Sequence, residues 1–293
     1  MQLRALLLPA LAAALAAAGC SRAPANAASE GQKALRAGDY EQAAVLLRAA
    51  TKSNAQNADV FYNLGMAYLL SSHNRPAEEA FDRAVALSRD TDDWAPLVAR
   101  AETRRRRGNA EGAVNDYQAA LGKANRLPAL VAGLAACEMD RGNAGTARAL
   151  LEEALTTDPE EPVALYNSAV LGAADRASDS TYVSDLLVRF LVTRRSEAYP
   201  EQRADAVRRL AALAAARPPE LQDKIDALLM ASARAASPAF ALDRAVEAFR
   251  LDQSNPVALA RMVAAARECR NEPLAETLLV RGRLLFPNDR RFQ

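Results

Sequence analysis

Small side chains recur along this chain at a fixed spacing of about 34 residues, and this repeat constrains the fold more than any other feature. One unit shows the full order of large and small positions: Val131, Leu134, Ala135, Ala147, Leu151, Ala154 and Pro159. The same offsets recur in units at about 24–57, 58–91, 94–127, 222–255 and 256–289. The sequence is also rich in alanine and poor in β-branched residues, which favours helix. A period of this length therefore predicts an array of small helical units that stack on one another.

Each unit is predicted to form two antiparallel helices that meet where both carry a small residue. At this contact Gly65 is expected to face Ala77 in the second unit, and Ala135 to face Ala147 in the fourth. Glycine relieves the left-handed backbone at a helix end, Asp or Asn caps the next helix, and proline opens a helix. These signals occur at Gly38-Asp39, Gly108-Asn109, Gly142-Asn143, Pro128, Pro162 and Pro256.

The order of positions resembles the tetratricopeptide repeat family, in which a 34-residue unit forms a helical hairpin. The unit at 58–91 is most similar to the family pattern, with Phe61, Leu64-Gly65, Tyr68, Ala77, Phe81 and Ala84. The resemblance extends from about residue 24 onward, except for the stretch 162–221. It implies an all-α fold, namely a right-handed α-solenoid of about seven stacked hairpins.

The register of the repeat slips between residues 162 and 221. Three helices are predicted there, at about 162–175, 179–195 and 200–217. Val207, Ala211, Ala214 and Pro219 resemble the positions of a second repeat helix whose first helix has shifted. A degenerate or lengthened repeat explains the slip, and the alternative is a hinge or insertion that presents a specific surface. The predicted organisation is a signal peptide at 1–19, a lipidated tether at 20–29, repeats at 30–161, the irregular region at 162–221 and further repeats at 222–293.

The N-terminus has the arrangement of an export signal. Arg4 precedes an apolar stretch that ends in Ala17-Ala18-Gly19-Cys20, and this stretch is shorter than the roughly 20 residues of a spanning helix. It resembles the signal peptide and lipobox of a bacterial lipoprotein, which implies cleavage before Cys20, lipidation of Cys20 and attachment to a membrane, facing the periplasm. Ser21 in place of Asp implies the outer membrane if the organism has two membranes. The alternative is an ordinary secretory signal cut after Ala18 or Gly19.

Charge and cysteine content exclude several classes of function. The chain has 37 Lys and Arg against 36 Asp and Glu, and removal of Arg4 with the signal balances them. No global field therefore favours nucleic acid or an anionic surface. Cys137 and Cys269 are predicted to be buried small hydrophobes in helices, with a disulfide between them as the alternative. His73 is the sole histidine, so no metal site is predicted.

The family resemblance implies a partner-binding groove. In tetratricopeptide repeat proteins the first helix of each hairpin lines a groove that takes extended or helical peptides. By register, the groove positions in this chain are Tyr62, Asn63, Met66, Leu69, Val98, Glu102, Arg105, Met139, Tyr166, Val170, Asp226 and Met230. Methionine and tyrosine suit adaptable peptide contacts. The alternative is that these are ordinary solvent-facing helix residues.

Arg104–Arg107 form the densest charge run, at the predicted C-terminal end of a helix, where cations complement the helix dipole. A solvated helix end and a contact with an acidic partner or anionic lipid both remain open. No Gly-rich phosphate loop, HExxH or GxSxG motif occurs. Adjacent acid pairs such as Glu78-Glu79 diverge around a helix. The sequence therefore predicts no catalytic residue, no cofactor and no metal.

These features predict a membrane-anchored extracytoplasmic scaffold that binds protein or peptide partners and no nucleic acid. The narrower alternative is a dedicated assembly subunit of an envelope machine, for a pilus, for secretion or for outer-membrane assembly. An enzyme is disfavoured, and the sequence leaves the oligomeric state open.

Overall fold

The computed structural model describes residues 26–88, 92–175 and 180–293. In these ranges the chain forms 15 α-helices, short 3-10 helices at Arg194–Ala198 and Arg290–Phe292, and no strand. The helices are α1 (Ala27–Ala37), α2 (Tyr40–Ser53), α3 (Ala58–Leu70), α4 (Asn74–Leu87), α5 (Ala95–Arg106), α6 (Ala110–Lys123), α7 (Pro128–Asp140), α8 (Ala144–Thr157), α9 (Pro162–Ala174), α10 (Ser180–Val192), α11 (Pro200–Ala215), α12 (Pro219–Ala233), α13 (Pro238–Leu251), α14 (Pro256–Glu268) and α15 (Glu272–Leu285). The predicted all-α fold is confirmed. None of these helices is both long enough and apolar enough to cross a bilayer.

The predicted turn chemistry is confirmed at Gly38-Asp39 and Gly108-Asn109, whereas at Gly142-Asn143 the glycine is left-handed but the Asn143 side chain makes no cap bond. Gly38 follows α1 with a φ of 82°, and Gly108 lies after α5 with a φ of 80°. Glycine adopts this left-handed backbone at the least cost. The side chain of Asp39 then accepts a hydrogen bond from a first-turn N–H of α2 at 3.2 Å, and Asn109 does the same for α6 at 2.9 Å. Each of these two turns therefore ends one helix and caps the next.

The described residues up to Ala124 form one compact unit, called unit 1, built from the hairpins α1/α2, α3/α4 and α5/α6. The second helix of each hairpin packs on the first helix of the next, and α1, α3 and α5 also contact in series. The small positions of the repeat are fully buried at Ala43, Ala50, Ala77, Ala84, Ala101, Ala113 and Ala120. One hairpin cannot cover its own apolar face, so this stacking supplies the core. The predicted stacked hairpins are confirmed here.

Asn125–Gln293 form the second compact unit, called unit 2, with the hairpins α7/α8, α9/α10, α12/α13 and α14/α15. Helix α10 is central to its core, because it contacts α9, α11 and the sequence-distant α15. The buried residues of α10 are Val183, Ser184, Leu186, Leu187, Val188, Phe190 and Leu191. A helix with apolar residues on nearly all sides is stable when it is buried by neighbours on several sides.

The three helices predicted in 162–221 are present as α9, α10 and α11. Because α9 pairs with α10, helix α11 is an additional helix between two hairpins. Its buried residues are Ala206 and Leu210, whereas Ala211 is exposed and Val207 and Ala214 are half-buried. The residues that resemble a second repeat helix, Val207, Ala211, Ala214 and Pro219, therefore do not form the buried face of one helix, and Pro219 begins α12. In an alanine-rich helix small residues occur on every side, so their spacing does not identify the buried face.

The two helices of the α3/α4 hairpin are in close contact at Gly65. A Cβ built on Gly65 would lie 2.5 Å from Cε1 of Phe81, so the ring of Phe81 stands opposite Gly65, where the sequence predicted Ala77. Ala77 is fully buried. Gly282 of α15 receives the ring of Phe292 in the same way, and Phe292 is buried. Glycine is required at both positions because an aromatic ring fills the space of a side chain.

Candidate partner-binding surface

The groove positions of unit 1 lie on two helices that contact each other, α3 and α5. Ala99 of α5 packs in one cluster with Leu69 and Phe81, and the half-buried Tyr62 and Met66 pack against this cluster. The side chains of α3 and α5 therefore meet at this position. We call the half-buried groove positions of these two helices the unit 1 face: Tyr62, Asn63, Met66, Val98, Glu102 and Arg105. Leu69 is buried in the cluster and supports the face without contributing surface.

Tyr62 is the most constrained side chain of the unit 1 face. Its ring lies 5.9 Å from the ring of Phe81, measured between centroids. Burial raises the pKa of the Tyr62 phenol, and the negative charge of Asp93 raises it further. The phenol is therefore neutral at physiological pH and keeps its donor hydrogen. Asp93 precedes α5, and sequence reasoning missed it because no repeat position marks the loops.

Glu102 and Arg105 of the unit 1 face form an ion pair with each other. Arg105 Nε lies 3.0 Å from Glu102 Oε2, and Arg106 Nε lies 3.0 Å from Glu102 Oε1. Burial alone would raise the pKa of Glu102, but the hydrogen bonds and charges of Arg105 and Arg106 outweigh it and lower the pKa. In this part of the face the charges of Glu102 and Arg105 are paired with each other, so neither side chain is an isolated charge.

The arginine run of α5 is bound by carboxylates within unit 1. Arg104 Nε donates to Glu78 Oε1 at 3.0 Å, and its Nη1 donates to Asp116 Oδ2 at 2.9 Å. Arg107 also donates to Glu78, while Arg105 and Arg106 donate to Glu102. All four guanidinium groups of the run are therefore paired. This favours a helix end stabilised by its own neighbours over a site for an acidic partner.

Arg100 extends this network and was missed by sequence reasoning. Its Nη2 lies 2.6 Å from Asp116 Oδ1, and its Nη1 lies 2.8 Å from Asp82 Oδ1. Burial alone would lower the pKa of Arg100, but the bonds to Asp116 and Asp82 outweigh it and raise the pKa. The partners come from α4 and α6, so the network joins three helices across two hairpins. No spacing in the sequence marks such a set.

In unit 2, Tyr166 of α9 is held by the additional helix α11. Its hydroxyl donates to Asp205 Oδ2 at 2.8 Å, and its ring lies 5.4 Å from that of Phe190. Burial raises the pKa of Tyr166, and Asp205 raises it further. Arg209 binds Asp205 and lowers the pKa of that carboxyl. Tyr166 is therefore tied into the packing of α9 on its neighbours, beside the half-buried Val170.

The remaining groove positions of unit 2 divide into two groups. Met139 is half-buried on α7, which contacts the α9 helix of Tyr166. Asp226 and Met230 are exposed on α12, which packs against α13 and α14. Asp226 accepts a hydrogen bond from Gln222 at 2.8 Å, within the same helix. Met230 is 53% exposed and offers the largest accessible thioether among these positions.

The remaining side chains that could bind a metal or react are the acidic residues, His73, Cys137 and Cys269. Within the described ranges, no group of three or more His, Cys, Asp or Glu residues is placed to hold a metal ion. His73 lies in the turn before α4, where its Nδ1 is 3.0 Å from Ser71 Oγ. Cys137 is buried and Cys269 is half-buried, and neither is in a disulfide. Cys20 and the export signal lie outside the described residues.

Comparison with known proteins agrees with this architecture. Residues 34–101, from the end of α1 into α5, match the tetratricopeptide repeat family model. The chain is similar to a chain of the APC/C hetero-tetramer Cut9–Hcn1, with a TM-score of 0.53 and 13% identity over 89% of this chain. It spans 46% of that longer chain. It is also similar to TTC0263, a thermophilic TPR protein from Thermus thermophilus, with a TM-score of 0.50 and 20% identity over 64% of this chain and 98% of TTC0263.

The fold is that of tetratricopeptide repeat proteins. The two structural likenesses show the helical-hairpin architecture, and the family model matches residues within unit 1. No curated protein matches the chain. The tetratricopeptide repeat fold is one whose exposed first-helix surfaces suit the binding of protein segments.

Proposed function

We propose that this chain is a membrane-anchored extracytoplasmic scaffold that binds a partner protein or peptide on the unit 1 face. The proposal rests on one observation: half-buried aromatic, thioether and amide side chains lie together on the contacting helices α3 and α5. Tyrosine supplies rigid contact area at a low entropy cost, and methionine adapts to irregular apolar partners. The tetratricopeptide repeat fold supports the same conclusion, because its stacked hairpins form extended recognition surfaces.

The proposed partner segment matches the chemistry of this face. Tyr62, Met66 and Val98 would contact apolar side chains of the segment, and Asn63 would hydrogen-bond its backbone through both amide groups. Glu102 and Arg105 neutralise each other in an ion pair. They would therefore offer polar groups at the edge of the face but little net charge. An extended or helical segment with spaced apolar residues is therefore the expected ligand, in preference to a strongly acidic one.

Site-specific photocrosslinking in intact cells tests this proposal. A photoreactive amino acid at Met66 should yield a covalent adduct with the partner. The matched position Glu79 on α4, whose side chain is 69% exposed, should yield none. Asn63→Lys, which adds bulk and charge on the face, should abolish the Met66 adduct without changing the melting temperature. Equal adducts from both positions would contradict binding on the unit 1 face.

The number of captured partners separates the two versions of the function. One partner captured in stoichiometric amount, together with its complex, would identify a dedicated subunit of an envelope machine. Several unrelated partners would identify a general scaffold.

The membrane anchor is proposed from the lipobox resemblance at Cys20. Each buried methylene of a lipid contributes about 0.8 kcal/mol, so several acyl chains would hold the protein without a basic patch. Cys20→Ser should release the protein from the membrane fraction. Cys269→Ser, which changes a half-buried free thiol, is the matched control and should leave the protein in that fraction. Continued membrane association of Cys20→Ser would place the anchor elsewhere.

A further inference from the structure

The unit 1 face contains two adjacent polar side chains that bond to no described residue. These are the hydroxyl of Tyr62 and the side-chain amide of Asn63, and both residues are half-buried. Their polar atoms are open to solvent, because the buried side-chain atoms that lack a partner in the described ranges belong to Ser184, Arg244 and Arg281. A ligand on the face can therefore reach a hydroxyl donor and an amide that both donates and accepts.

The same pair of residue types occurs at the equivalent position of α9 in unit 2. Tyr62 is the fifth residue of α3, Tyr166 is the fifth residue of α9, and an asparagine follows each of them. Both rings lie tilted against a phenylalanine of the following helix, with centroid distances of 5.9 Å to Phe81 and 5.4 Å to Phe190. The two tyrosines therefore pack in a similar way within their own hairpins.

The two tyrosines differ in what their hydroxyl groups meet. The hydroxyl of Tyr166 donates to Asp205 Oδ2 of α11 at 2.8 Å, so a tyrosine at this helix position reaches an oxygen acceptor on a neighbouring helix. No described residue supplies such an acceptor to Tyr62. Water satisfies an accessible hydroxyl in the free protein, and a ligand that displaces the water has to supply the acceptor itself.

The charge beside Tyr62 favours a neutral acceptor over a carboxylate. In unit 2, Arg209 pairs with Asp205 and lowers the pKa of that carboxyl, so the acceptor of Tyr166 is neutralised. In unit 1, burial raises the pKa of the Tyr62 phenol and the negative charge of Asp93 raises it further. A second negative charge would be repelled there. A backbone carbonyl, which carries no net charge, would be accepted.

The backbone of an extended segment supplies the groups that these two side chains can bond. In a helix the interior N–H and C=O groups bond to each other, whereas an extended segment leaves them free. Tyr62 can donate to one carbonyl, and Asn63 can accept from an N–H and donate to a second carbonyl. Successive side chains of an extended segment point to opposite sides, so alternate residues would contact Met66 and Val98.

We propose that the Tyr62 hydroxyl and the Asn63 amide hold the backbone of an extended partner segment that carries apolar side chains at alternate positions. This inference rests on the proposed function, and it narrows the ligand from an extended or helical segment to an extended one. It also sets a selectivity, because a segment with an acidic residue beside Tyr62 is disfavoured.

Peptides selected on the full chain test the proposal. The probe is a displayed library of random short peptides, and a peptide is kept if Asn63→Lys abolishes its binding. The tightest of these is synthesised with one backbone N-methyl group at a time, which removes one N–H donor. At the residue that bonds to Asn63, N-methylation should weaken binding about fivefold. In Asn63→Leu the same N-methyl group should have no further effect, because the acceptor is already gone.

Matched substitutions separate the hydrogen bonds from general packing. Tyr62→Phe should weaken peptide binding about fivefold. It should leave the melting temperature of the free protein unchanged, since the hydroxyl bonds to no described residue. Tyr182→Phe, at a 51% exposed tyrosine of α10, is the control for Tyr62→Phe and should leave the affinity unchanged. Asn115→Leu, at an exposed position of α6, is the control for Asn63→Leu.

The outcomes distinguish this inference from the proposed function. Tighter binding of a helix-stapled form of the selected peptide, or N-methylation that weakens binding at no position, would overturn the extended mode and leave the unit 1 face as a binding surface. Unchanged peptide affinity in both Tyr62→Phe and Asn63→Leu would overturn the roles of the two side chains. A library that yields no peptide sensitive to Asn63→Lys would contradict the proposed function and this inference with it.

Discussion

At the scale of single residues, the hairpins depend on which side chain fills the space between their helices. In the α3/α4 hairpin the fully buried ring of Phe81 occupies the space beside Gly65. A methyl group on Gly65 would come within 2.5 Å of Cε1 and 2.6 Å of Cδ1 of that ring. The enclosed ring cannot move aside freely. We expect Gly65→Ala to lower the free energy of unfolding by about 1–3 kcal/mol, as measured by urea denaturation.

Gly122 provides the matched control for this substitution. It is a glycine of α6 in the same unit, and an added Cβ there would meet no heavy atom within 4 Å. Gly122→Ala should therefore raise the free energy of unfolding by up to about 1 kcal/mol, because alanine favours helix. A urea midpoint of Gly65→Ala that equals or exceeds that of the wild type would contradict the contact with Phe81.

The sequence correctly predicted a close contact at Gly65. It predicted Ala77 as the residue opposite, whereas the nearest side chain is that of Phe81. The 34-residue pattern fixes which positions are small, and Gly65 and Ala77 both are. Ala77 and Phe81 lie one turn apart on the same face of α4, so the pattern is satisfied whichever of them stands opposite Gly65. The choice depends on the crossing of the two helices, which only packing determines.

At the scale of helices, α5 is held to α4 and α6 by its ion pairs. Burial alone would raise the pKa of Glu78, but the bonds and charges of Arg104 and Arg107 outweigh it and lower the pKa. A carboxyl group with a lowered pKa in the folded state contributes stability above its unfolded value, here 4.5. That contribution is lost as the pH falls through the folded pKa. We therefore expect the urea midpoint of unit 1 to fall as the pH drops below about 4.5.

Glu78→Gln tests the source of this acid sensitivity. The variant should be less stable than the wild type at pH 7, because Arg104 and Arg107 lose a charged partner. Its stability should also depend less on pH below about 4.5. Glu79→Gln is the control, since Glu79 is a largely exposed neighbour that bonds only to Arg75. Identical pH profiles for Glu78→Gln and the wild type would contradict the role of Glu78.

Helix positions were more predictable than helix partners. Gly-Asn pairs and first-turn prolines bounded most helices, because caps act through residues adjacent in sequence. Helix α10 was also predicted, at about 179–195. Its contact with α15, about 90 residues later, has no local signal. The network of Arg100 and Asp116 was missed for the same reason, since its members lie 16 residues apart on different helices.

At the scale of the whole molecule, the two units differ in how their hairpins support one another. In unit 1 the hairpins contact mainly their neighbours in the chain. Its free energy of unfolding is therefore close to a sum of contributions from single hairpins and from the contacts between adjacent hairpins. In unit 2, α10 joins the α9/α10 hairpin to α15 and so links the middle of the unit to its end. Helix α11 contacts α10 and has only two buried residues, Ala206 and Leu210. Unit 2 therefore combines a helix that is covered by neighbours on several sides with a neighbouring helix that buries few residues.

Hydrogen exchange should resolve this difference within unit 2. Local opening exposes helices that bury few apolar residues before helices that form the core. We expect the amides of α10 to exchange with the slowest rates in the unit, near those of global unfolding, and those of α11 to exchange faster. The two helices are close in length, at 13 and 16 residues, so length does not explain such a difference. Equal protection of α10 and α11 would contradict this prediction. It would mean that α11 unfolds only together with the core, although it buries only two residues.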